Sequence, residues 1–151
     1  MPHTFTQIHI HAVFSTKNRA PFLNEKPTRV RVHAYMAEVM RRLKCPAEIV
    51  GGVADHVHIL FNLGRSCDVA EVIKETKRVT TIWIHGEFKQ LPDFYWQEGY
   101  GAFSVSHSHR EKLRHYIHTQ EEHHQNKSFQ NEFRALLKKH EIAFEEPKIW
   151  E

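Results

Sequence analysis

The chain has 151 residues, 40% hydrophobic and 26% charged, with a formal net charge of +3: enough for one soluble domain over 1–151 with its own core, and too mild a bias to select nucleic acid as a partner. No apolar run approaches the ~20 residues of a membrane span, and the opening MPHTFTQIHIHAVF lacks the basic region, apolar core and cleavage site of a signal peptide. Cys45 and Cys67 form no Cys-x-x-Cys motif and suit reduced thiols in a cytoplasmic protein, while 14 histidines supply groups that protonate near neutrality or in a phosphate field.

Residues 4–15 alternate, with Ile8, Ile10, Ala12 and Phe14 on one face of a strand and Gln7, His9, His11 and Val13 on the other. Thr16 to Pro27 is a loop carrying Lys17 and Arg19. A helix is predicted over 25–44, with Pro27 in its first turn and a ragged apolar stripe. The stretch AEIVGGVADHVHILFNL reads as two strands, 47–53 and 56–63, turning near Ala54-Asp55, with Gly51-Gly52 marking a bulge or a close backbone approach. Asp68 or Ser66 caps a helix reaching about Phe88, its apolar positions at helical spacing and its other sides carrying Lys74, Lys77 and Arg78. An aromatic-rich loop, 89–99, leads to a strand over 100–106. Ser106 or Ser108 then caps a helix ending near His124, in which Leu113 and Ile117 are nearly the only aliphatics. So thin a stripe predicts a helix held loosely or docked against something polar. A last helix spans about 129–141, and the tail EEPKIWE carries no usable signal. The order β-α-β-β-α-β, then helices, predicts an α+β, ferredoxin-like (split βαβ) domain with one sheet face free for ligands.

Within this order the segment DHVHILFNL, 55–63, bears the most chemistry. Strand alternation puts His56 and His58 on one face and Val57, Ile59 and Phe61 on the other. Two imidazoles on stiff backbone make half of a metal site, and Asp55 is placed to fix a ring tautomer. Similar His-x-His pairs occur at His9/His11 and His107/His109, and spacing alone does not rank the three. On the late helix Tyr116 and Gln120, four apart, share a face. Two imidazoles and an amide oxygen can hold a divalent cation with positions open to a phosphoryl oxygen, beside a tyrosine able to attack phosphorus. A phenol, with its ordinary pKa of about 10, is a better leaving group than an alkyl hydroxyl, so a phosphotyrosine stays reactive toward a DNA hydroxyl.

HVH at 56–58 is similar to the His-hydrophobic-His (HUH) motif. With HIHAVFSTKNRAPFL near the start, WQEGYGAFSVSHS, and YIHTQEEHH from Tyr116, the chain resembles the small single-tyrosine transposases of bacterial and archaeal insertion sequences, and their relatives associated with repetitive extragenic palindromes. The resemblance runs from about His9 to Ile142. It implies a homodimer with joined sheets that cuts and joins hairpin-bearing single-stranded DNA through a 5′-phosphotyrosine. It also implies Mg²⁺ or Mn²⁺, with His56, His58 and Gln120 as ligands and Tyr116 as nucleophile, acting in its own subunit or its neighbour's. Imidazole ligands alone would favour Mn²⁺, Zn²⁺ or Ni²⁺ over Mg²⁺, and His115, His118, His123 and His124 are rival ligands. Lys17, Arg19, Lys74, Lys77, Arg78, Arg110 and Arg114 are candidate phosphate contacts. Two other readings compete: a non-catalytic ferredoxin-like module binding single-stranded nucleic acid, and a protein with a closed structural metal site.

Overall fold

A computed structural model describes residues 3–125, 127–146 and 148–150. The alternating segment forms β1, His9–Ser15, shorter than the predicted 4–15, and Ile8 lies exposed outside it. Helix α1, Lys26–Arg42, is followed by β2, Ala47–Val53, and β3, His56–Asn62, then by α2, Val69–Glu87, and β4, Gly101–Val105. Asp68 caps α2 by accepting a hydrogen bond from the Glu71 N–H. The strands form one antiparallel sheet in the order β2-β3-β1-β4. This is the expected α+β architecture.

Alternation divides the sheet cleanly. Ile10, Ala12 and Phe14 of β1 and Val57, Ile59 and Phe61 of β3 pack with Val32, Met36 and Met40 of α1 and Val72, Ile73 and Ile84 of α2 into the main core. The opposite face is not free, as the sequence led us to expect. It is covered by α3, Arg110–His118, α4, Gln120–His123, and α5, Phe129–Lys139. Leu113 and Ile117 of α3 bury against Leu60, and Phe129, Phe133 and Leu137 of α5 against Val13 and Phe103. Ile149 and Trp150, from the tail that gave no signal, pack on the α5 cluster. Among the described residues no helix is long and apolar enough to cross a membrane.

The late helix departs from expectation in a second way. It breaks at Thr119 (φ −101°, ψ 25°), which separates α3 from α4. Its start is a short 3₁₀ turn, His107–His109, whose N-cap Ser106 makes no capping side-chain bond. Nor is α3 loose. The bulge in β2 falls at Ala47/Ile49, while Gly51 is the close approach: a Cβ there would stand 2.8 Å from both Cγ2 and the backbone oxygen of Ile117. Gly51→Ala is therefore expected to cost about 1–3 kcal/mol, read as a lower midpoint in urea, because α3 has to lift.

Candidate metal and tyrosine site

The face of β3 that looks away from the main core carries His56 and His58, both fully buried. The Asp55 carboxylate lies 2.7 Å from His56 Nδ1 and turns Nε2 toward the helices. His11 does the same for His58, its Nε2 standing 2.8 Å from His58 Nδ1. The second His-x-His pair is thus split: His11 supports the site, while His9 meets His107, 3.3 Å away, outside it. His109 is exposed.

Over these rings α3 and α4 bring Tyr116 and Gln120. Gln120 is buried, with Oε1 3.2 Å from His56 Nε2 and 3.0 Å from His124 Nε2. The Tyr116 ring stands edge-on to His58, centroids 5.8 Å apart, and leans on His123. The structure brings all four predicted residues together within one chain. Of the four rival histidines, His124 reaches the cluster.

The residue that sequence reasoning missed is Glu132 of α5, 1% exposed. Its Oε1 lies 2.9 Å from His58 Nε2 and 3.1 Å from both His56 Nε2 and His124 Nε2. Its Oε2 accepts hydrogen bonds from the Tyr116 hydroxyl and, at 3.2 Å, from Gln120 Nε2. A signal for it existed: Phe129, Glu132, Phe133, Leu136 and Leu137 share one helical face, so this carboxylate sits inside an apolar stripe.

Burial opposes charge on His56, but its bonds to Asp55 and Glu132 outweigh that and raise its pKa to about 9. At His58 and His11 burial prevails and the pKa falls. Burial would keep Glu132 neutral, yet bonds from His124, His56 and His58 hold it far below the usual carboxylate range. Tyr116 is pushed above an ordinary phenol by burial and by the Glu132 charge. Because His56 binds its second proton more tightly folded than unfolded, its contribution is complete below about pH 6.5 and is lost as pH rises through about 9. The metal-free protein is expected to melt a few degrees lower at about pH 10 than at about pH 7. Circular dichroism in chelator measures this, and Asp55→Asn should shrink the difference.

The donor set fits a divalent cation. His56, His58, His124 and Glu132 each offer one ligand atom, and these atoms lie within 4.8 Å of one another. Imidazole and carboxylate together suit a transition metal better than Mg²⁺. Beside the cluster is a cavity of about 370 Å³ between α3, α5 and β4, lined by Tyr116, Glu132, Phe103, Lys112, Lys127 and Lys139. The cations suggested by sequence lie elsewhere. Lys77 is bonded to the carbonyls of Gln97, Glu98 and Gly99, Arg78 pairs with Glu75, and Arg110 pairs with Glu48. Arg19 stacks on Trp150.

A family profile that matches most of the chain puts it among the transposases. It belongs to the family of IS200-like transposases, whose profile matches residues 4–120. Two of the solved structures that share the fold are informative. One is a protein of Deinococcus radiodurans R1 classed provisionally as a transposase, 18% identical, with a TM-score of 0.64 over 80% of this chain and 95% of that one. The other is a REP-associated tyrosine transposase bound to a REP hairpin, 14% identical, with a TM-score of 0.52 over 78% of this chain and 67% of that one. A search of curated proteins gave no match.

Proposed function

We propose that this transposase cuts and rejoins single-stranded DNA through a covalent 5′-phosphotyrosine at Tyr116. The observation that carries the reading is the gathering, in one chain, of His56, His58, Gln120 and Tyr116 around the Glu132 carboxylate, with the Gln120 amide oxygen beside His56 Nε2. Mg²⁺ or Mn²⁺ held by His56, His58 and Gln120 would supply Lewis-acid polarisation of a phosphoryl oxygen. Tyr116 attacks phosphorus: the Oη–P bond forms, the P–O3′ bond breaks, the phenol loses its proton and the departing 3′ oxygen gains one. Attack by another strand's 3′-hydroxyl reverses these steps and needs no nucleotide cofactor, since one phosphodiester is exchanged for another. Asp55 and His11 keep the two imidazoles aimed at the centre, as outer-shell partners do.

The cavity beside Tyr116 offers room for an unpaired nucleotide, and Lys112, Lys127 and Lys139 on its lining suit a phosphate backbone. The relative solved with a REP hairpin supports hairpin-bearing DNA as the substrate class. We further infer a homodimer in which each tyrosine serves its own chain. Four protein donors in one cluster also favour a second reading, a closed structural metal site. The deciding experiment incubates the protein with labelled single-stranded oligonucleotides tiled across the DNA flanking its coding sequence, with Mn²⁺ and with chelator. A band of retarded mobility on a denaturing gel, dependent on Mn²⁺, is expected. No such band, with chelation sharply lowering the melting temperature, would establish the structural site instead.

A further inference from the structure

The family profile ends at Gln120, but two members of the donor cluster, His124 and Glu132, come after it. Glu132 is the more informative. Strand transfer asks one phosphate to do two things at once: present an oxygen to the cation held by the imidazoles, and present phosphorus to the tyrosine hydroxyl. The Glu132 carboxylate spans those two positions. One oxygen faces His56, His58 and His124, and the other takes the Tyr116 hydroxyl. A carboxylate shares one negative charge between two oxygens bonded to a single atom, as the non-bridging pair of a phosphodiester does. With Glu132 seated, Tyr116 has no open line to phosphorus.

Resting on the Tyr116 reading above, we propose that Glu132 is a metal ligand of the resting protein in the seat of the scissile phosphate, so that α5 is a built-in competitor which withdraws when DNA enters. The attachment of α5 suits this. Five residues, 124–128, separate it from α4, and Ser128 caps it. It rests on the sheet through Phe129, Phe133 and Leu137 and is backed by Trp150. The cavity beside Tyr116 is bordered by Leu136 and Lys139 of the same helix. His124 would remain on the preceding turn to share the cation.

Glu132→Gln keeps the shape and removes the charge. Titration calorimetry with Mn²⁺ should show about tenfold weaker binding than wild type, as loss of an anionic ligand implies. At saturating Mn²⁺ and limiting oligonucleotide, its covalent adduct should form about tenfold faster, since the competitor is weakened. Hydrogen exchange of the wild-type full chain supplies a readout that needs no variant: amides of 129–139 should exchange faster once oligonucleotide and Mn²⁺ are added. Unchanged Mn²⁺ affinity, an adduct rate equal to or below wild type, or undiminished α5 protection with DNA bound would each overturn the proposal. Wild-type adduct without a gain in the variant leaves the Tyr116 reading standing. No adduct from either protein overturns that reading itself.

Discussion

Tyr116→Phe is expected to bind hairpin-bearing single-stranded DNA as wild type does and to form no covalent adduct with it. The ring stays, so its packing against His58 and His123 survives. Only the hydroxyl is lost, and with it the hydrogen bond to Glu132, at about 1 kcal/mol of stability. Adduct formation should fall by about 10³-fold or more, the scale of removing a covalent nucleophile. Electrophoretic mobility under native conditions reports binding, and a denaturing gel reports the adduct. An adduct that persists in Tyr116→Phe would move the nucleophile elsewhere.

The second large effect belongs to the imidazoles. In wild type, Mn²⁺ at a hundred times its dissociation constant should stabilise the fold by about 2.7 kcal/mol. For a chain of this size that is roughly 5–10 °C of melting temperature. Replacing His56 and His58 together by alanine should erase this increment and abolish the adduct. The comparison is made within each protein, with and without Mn²⁺, so the cost of emptying two fully buried positions does not enter. A full Mn²⁺ shift in the double variant would show that the cation sits elsewhere.

The readable parts of the site were those where local geometry dictates direction. Strand period puts His56 and His58 on one face whatever the rest of the chain does, and helix period aligns Tyr116 with Gln120. The α+β order was readable for the same reason: β1, β2, β3 and β4 each announce themselves by alternation and turns. What escaped depends on contacts distant in sequence. Glu132 stands out in sequence only as a carboxylate inside an apolar stripe; what it faces, His58 of β3, is 74 residues away. The break at Thr119 has no proline or glycine to announce it. Ile149 and Trp150 are too few to show a period, so their packing on Phe129 and Phe133 was invisible. The thin stripe of Leu113 and Ile117 left open a loose helix or one docked against something polar, and Tyr116 and Gln120 do meet the polar cluster of His56 and Glu132. Contact with a glycine on the sheet, which sequence periodicity does not weigh, makes two side chains enough.

That glycine has a wider consequence. Gly51 is the cross-strand partner of His58, and the residue touching Gly51 is Ile117, the immediate neighbour of Tyr116. Tyr116 and His58 are therefore both placed from neighbouring backbone, on strands about 4.8 Å apart. Flexing of the whole sheet therefore carries the nucleophile's helix and the imidazole strand together, so the two sides of the proposed site keep step without any bond between them.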